Sequence, residues 1–285
     1  MNTFVNAALP LSLVISMLSL GIGLTLNDFK RVLKRPHAFG LGTGAQIVFV
    51  PFIAYLLILA FGITSELAVG VMLVSLCPGG VTNNIIAKVA EGDVALSVSL
   101  TAVISLLSLL TVPFVAAWSV IHFMGAEAPE VTITGLALAI FIIITLLVFL
   151  GMAIQHFKPA FSIRVEPAFS LIGVALFALI VVATLISGWQ TFMDNTATLG
   201  PILVTLSLSL LVMGFFVAKF SGLERNEVKS ISIKIGLQNA TIGIALTSII
   251  STQSDGFSDM GLPSAVYGIL MSIVVAPFVY WYRKT

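Results

Sequence analysis

Nine runs of apolar residues, each long enough to cross about 30 Å of hydrocarbon, constrain this chain more than any other feature. They fall near 5–26, 38–61, 66–90, 94–123, 131–155, 165–188, 198–219, 228–251 and 262–282. In lipid every backbone polar group needs an internal partner, so runs of this length are predicted to be helices. Composition agrees, with 59% of residues hydrophobic and 9% charged, against about 25% charged in a soluble domain. The expected fold is an all-α membrane protein with nine transmembrane helices, forming one transmembrane domain over residues 1–285.

The order of charges predicts the orientation. Lys30, Arg31, Lys34 and Arg35 fall in loop one, Lys88 in loop three, and Lys158 and Arg164 in loop five. Lys219, Arg225 and Lys229 fall in loop seven, and the tail carries Arg283 and Lys284. The intervening loops carry Glu66, Glu127, Glu130, Asp194, Asp255 and Asp259, with no Lys or Arg. By the positive-inside rule the N-terminus is expected outside and the C-terminus cytoplasmic, in the cell membrane. No basic segment precedes the first run, so a retained span is expected rather than a cleaved signal peptide.

Several function classes find no support. Net charge is +1 with no basic block beyond loop one, so membrane lipid is an expected contact and nucleic acid is not. Cys77 is the one cysteine, which excludes an intrachain disulfide. No nucleophile elbow, Walker motif or paired intramembrane carboxylates occur, so the chain is not expected to be an enzyme or to need a cofactor. His37, His122 and His156 lie at span ends without metal-ligand spacing. Trp118, Trp189, Trp281 and Tyr282 suit an aromatic belt.

Lys234 is the exception to the charge pattern. Of 13 Lys and Arg residues it alone is placed inside a span. A lone ammonium there costs about 2.5–3.5 kcal/mol on the translocon scale unless something compensates it. It therefore reads as a functional cation. The alternative is snorkelling, since a span starting near 228 buries it by roughly 9 Å and a lysine stem reaches about 6 Å.

Two spans are interrupted, at related places in the two halves. The third contains Cys77-Pro78-Gly79-Gly80-Val81-Thr82-Asn83-Asn84, where proline and paired glycines should break the helix. The eighth contains Gly236-Leu237-Gln238-Asn239-Ala240-Thr241-Ile242-Gly243, polar and glycine-bearing at membrane depth. Such paired breaks point to a secondary transporter built from inverted repeats. Each break is expected to expose free N–H groups that suit an anion and carbonyls that suit a cation.

At these residues the chain resembles the bile acid:sodium symporter family. The motifs are Cys77-Pro78-Gly79-Gly80, the stretch from Glu91 to Thr101, and Gly236-Leu237-Gln238-Asn239. The resemblance implies a panel domain of spans 1, 5 and 6 moving against a core of spans 2, 3, 4, 7, 8 and 9. The two broken helices would cross in the core, with an organic anion bound between the domains. Cargo in the family runs from bile salts to small carboxylates, and two Na⁺ ions typically drive it. A monomer suffices for this mechanism.

Carried over residue by residue, the family's first sodium site falls on Asn83, Asn84, Ser97 and Thr101. The second falls on Gln46 and Gln238, with carbonyls at Ile235 and Leu237. The acidic residue that serves both sites aligns with Lys234. Holding Na⁺ about 4 Å from a fixed ammonium costs on the order of 4 kcal/mol at an effective dielectric of 20. Lys234 is therefore expected to act as a tethered cation, donating to Gln46, Gln238 and nearby carbonyls, or as a proton site. The expected function is Na⁺-independent, alternating-access transport of a small organic anion, held by Thr82, Asn83, Asn239 and Thr241. Val81 stands where the family often has a hydroxyl residue after the CPGG motif. Two alternatives stay open: a Na⁺ symporter keeping one site at Asn84, Ser97 and Thr101, and a membrane receptor that binds without transport.

Overall fold

Long apolar stretches in this chain do become helices, and the breaks fall where proline, glycine and polar residues cluster. The computed structural model describes residues 2–129, 132–187, 189–251 and 259–285; Glu130 and Asp255 lie outside them. The first half comprises α1 (Asn2–Ile22), α2 (Leu26–Lys34), α3 (Pro36–Gly44), α4 (Val50–Phe61), α5 (Ser65–Leu76), α6 (Val81–Val89) and α7 (Val94–Met124). Then follow α8 (Ile133–Ile140), α9 (Leu147–Phe157), α10 (Pro159–Ser187), α11 (Trp189–Phe220), α12 (Arg225–Gly236), α13 (Ala240–Ile250) and α14 (Leu262–Lys284). A π-helical turn, Ala45–Phe49, joins α3 to α4, and another, Phe141–Leu146, joins α8 to α9. Seven helical segments, rather than the expected nine, are long and apolar enough to cross a membrane among the described residues. Two further apolar helices, Pro10–Ile22 and Ser65–Leu76, are shorter. The second is short because the chain breaks after it.

Helix α1 packs chiefly on α9 and α10, while α11 packs on α12 and α14. Gly21 and Gly151 let α1 and α9 approach backbone to backbone: a Cβ on Gly21 would lie 2.2 Å from the Val148 carbonyl oxygen. Buried apolar side chains form two clusters. One joins α3, α4, α5, α7, α11, α12 and α14; the other joins α1, α5, α7, α8, α9, α10, α13 and α14. Large apolar side chains such as Phe157, Ile163, Leu171 and Phe220 face outward along the long helices, as a lipid-facing surface requires.

Several residues assigned to loops lie in helices, among them Lys30, Arg31 and Lys34 in α2, Lys88 in α6 and Arg164 in α10. Arg225 and Lys229 belong to α12, not to a loop, because Glu224 and Glu227 close a capping box that starts the helix there. Lys229 is buried, and so is Glu227, which accepts from the Arg35 guanidinium. Glu227 raises the pKa of Arg35, first through that hydrogen bond and then through its charge. Tyr282 is not a belt residue: it is buried, and its hydroxyl donates to Ser232 Oγ over 2.7 Å. Trp118, Trp189 and Trp281 are exposed.

Candidate functional site

The two breaks meet. Residues Cys77–Gly80 separate α5 from α6, and Leu237–Asn239 separate α12 from α13. Asn83, on the first turn of α6, donates from Nδ2 to the Leu237 carbonyl at 2.7 Å and to the Lys234 carbonyl at 3.4 Å. Gly79 has no room for a side chain: a Cβ there would lie 2.2 Å from Asn83 Nδ2 and 2.9 Å from Lys234 Nζ.

A helix end inside a membrane leaves carbonyls that need partners, and side chains supply them at the end of α12. The Gly236 carbonyl accepts from the Tyr267 hydroxyl at 2.8 Å and Ser207 Oγ at 3.3 Å. The Ile235 carbonyl accepts from Gln238 Nε2 at 2.7 Å. Tyr267 and Ser207 lie on α14 and α11, distant in sequence from either break, so motifs alone do not reveal them.

Lys234 projects into this junction and is 0% exposed. It does not snorkel. Its Nζ donates to Thr101 Oγ1 and to the Gly79 carbonyl at 3.4 Å. Thr101 donates its own hydroxyl proton to the Ser97 carbonyl at 2.9 Å, and Ser97 Oγ donates to Asn84 Oδ1 at 2.8 Å. Lys234 thus joins the Asn84, Ser97 and Thr101 group and, as expected, a nearby carbonyl, but neither Gln46 nor Gln238. Those two glutamines bond each other instead, Gln46 Nε2 to Gln238 Oε1 at 2.9 Å. Gln238 is held by the Ile235 carbonyl, which fixes its amide toward Gln46. Gln46 sits in the π-helical turn Ala45–Phe49, and its buried Oε1 has no partner among the described residues. Such turns often mark functional sites.

Around the junction lies a cavity of about 60 Å³. Thr82, Asn83, Gln238, Asn239 and Thr241 line one wall, and Ser16, Ser19 and Ser170 of α1 and α10 line the other. All four predicted substrate residues therefore face one space. Ser12, Ser16 and Ser19, spaced i, i+4 and i+7, carry a helical-face signal that lies outside both motifs. A second cavity of about 440 Å³ shares Ser19 and Leu20 with the first and runs toward Lys88 and Glu166.

The half-helix amides differ from expectation at one break. Asn239 caps α13 with its own Oδ1, which accepts from Thr241 N at 3.1 Å and Ile242 N at 3.3 Å. Those amides are taken, and Asn239 Nδ2 is the group left to donate. No side chain caps the start of α6. No cluster of three or more His, Cys, Asp or Glu side chains able to hold a metal ion occurs among the described residues.

Comparison with known proteins settles the family. Residues 10–195 match the Sodium Bile acid symporter family. This chain belongs to it. The Sodium Bile acid symporter family is one of transporters, not enzymes. One relative is a probable chloroplastic sodium/metabolite cotransporter of Oryza sativa subsp. japonica, 26% identical over 94% of this chain and 62% of its own length. The chain thus spans under two thirds of that relative. An uncharacterized sodium-dependent transporter of Bacillus subtilis is 27% identical over 99% of this chain and 85% of its length. The ileal sodium/bile acid cotransporter of Mus musculus is 27% identical over 100% of this chain and 82% of its length.

Proposed function

We propose that this chain carries a small organic anion across the membrane by alternating access, without Na⁺ at the position that the Lys234 ammonium occupies. One observation carries the reading: the fully buried Nζ of Lys234 donates to Thr101 and Gly79 at the crossing of two broken helices. Among the described residues no ion pair compensates it. An anion entering the adjacent cavity supplies the missing countercharge, so substrate and tethered cation stabilise each other.

The paired breaks suit an inverted-repeat carrier. The packing of α1 on α9 and α10, with the cavity between α1, α10 and the broken helices, supports a panel of spans 1, 5 and 6 against the remaining core. The N-terminus is then outside, and the 440 Å³ cavity with Lys88 opens to the cytoplasm.

A second reading has an observation of its own. The relatives are described as sodium-dependent or as sodium cotransporters, and Gln46 Oε1 is a buried, unpartnered acceptor. If one Na⁺ is retained, it binds beside Gln46 and Gln238, because Lys234 fills the Asn84, Ser97 and Thr101 group.

Thermal stability against small carboxylates, in Na⁺ and in choline buffer, separates the two, since a ligand of the folded state raises stability by mass action. Equal stabilisation in both buffers supports the tethered cation. A Lys234→Glu variant should then gain a Na⁺-dependent response. Stabilisation of the unmodified chain only in Na⁺ overturns the proposal.

A further inference from the structure

Lys88 and Glu166 are the charged side chains that line the 440 Å³ cavity, and they come from opposite walls. Lys88 lies in the last turn of α6 and is exposed, while Glu166 lies on α10 and is half-buried. Helix α6 follows the first break and packs on α7 and α12, whereas α10 packs on α1 and α9. The two charges therefore face each other across the boundary between the proposed core and panel. They are not paired here. Among the described residues, ion pairs join Arg35 to Glu224 and Glu227 only, and no hydrogen bond engages the side chain of Lys88 or Glu166.

Other acids on this side of the molecule already have work. Asp28 accepts from Thr25, Asp93 caps α7, and Glu224 and Glu227 face Arg35. Glu166 is left to water, and so is Lys88. While the cavity is open this is cheap, and an ion pair exposed to water adds little stability. Closing the walls changes the balance. Water leaves, and a charge buried without a partner is strongly unfavourable. For each of the two, the lining offers one countercharge, which is the other. Their attraction also grows as the space dries, because it scales inversely with the local dielectric.

We infer that Lys88 and Glu166 form a gate: an ion pair, absent while the 440 Å³ cavity is open, that forms when α10 closes on α6 and holds the cavity shut. This rests on the proposed alternating-access reading. Neither residue lines the 60 Å³ cavity at the helix crossing, so the pair acts on the passage and not on anion binding there.

The test is counterflow of radiolabelled pyruvate and succinate by the full chain in proteoliposomes, with Lys88→Glu, Glu166→Lys and the double swap. Each single reversal sets like charges face to face and should slow exchange about tenfold. The swap restores opposite charges and should bring exchange back to within about twofold of the unmodified chain. Melting temperatures, and stabilisation by the same two anions, should hold throughout, because neither side chain has a partner to lose or reaches the crossing cavity. Single reversals without effect, or a swap as slow as either single variant, overturn the gate while leaving transport standing. Slower exchange by Lys88→Glu with faster exchange by Glu166→Lys shows attraction of the anion instead, and overturns the gate as well. Absence of counterflow of both probes by the unmodified chain overturns the gate together with the transport reading beneath it.

Discussion

At the scale of single residues, what Lys234 gains from Thr101 decides whether a tethered cation is tenable. A buried ammonium is stabilised by charge-assisted hydrogen bonds worth about 1.5–3 kcal/mol each. Thr101→Val keeps the shape and removes the acceptor, so it should cost about that amount in unfolding free energy. Thr101→Ser, which restores the oxygen, should recover most of it. The loss ought to vanish when Lys234 is already methionine, because the valine then meets an apolar neighbour. A double-mutant cycle on these two positions, read by thermal or denaturant unfolding, measures the coupling. A coupling near zero would mean that the ammonium does not depend on Thr101, and the tethered-cation reading would lose its geometric basis.

At the scale of elements, the α13 start has two jobs that one substitution separates. Asn239 Oδ1 caps two amides, while its Nδ2 stays available at the cavity. Asn239→Ala removes both functions and should cost about 1 kcal/mol of stability. Asn239→Asp keeps the cap, so stability should hold, yet it places a carboxylate where an anion is to bind. Carboxylate binding should then be lost while the unliganded melting temperature stays near that of the unmodified chain. An aspartate variant that binds as before would remove Asn239 from the site. The two breaks were legible from sequence because proline and glycine interrupt a helix, and amides at membrane depth need polar partners inside the protein. The carbonyl partners were not, since Tyr267 and Ser207 reach Gly236 from other helices and carry no local signal. The π-helical turn at Gln46 was equally invisible: Gly44-Ala45-Gln46-Ile47 reads as ordinary helix, and only the ladder of backbone bonds shows the extra residue. Lys234 stood out as a charge out of place, but which oxygens it would meet depended on side-chain directions that spacing does not fix.

For the whole molecule, the proposed alternating access would demand that the 440 Å³ cavity close as the proposed panel and core move. Ile85 of α6 lines it and is 48% exposed. The native chain offers a clean background, because Cys77 is its one cysteine and is fully buried. An Ile85→Cys variant should therefore react with a membrane-impermeant thiol reagent from the cytoplasmic side, while the parent chain does not. A bulky label at that position props the walls apart. Counterflow of a labelled substrate anion in proteoliposomes should then stop, although stabilisation by that anion persists, since the helix crossing and its cavity are untouched. A receptor that binds without transport shows no counterflow before labelling and none after. A carrier in which this cavity need not close keeps its counterflow after complete labelling, and that result would exclude the rocking of α1, α9 and α10 against the broken helices as the transport step.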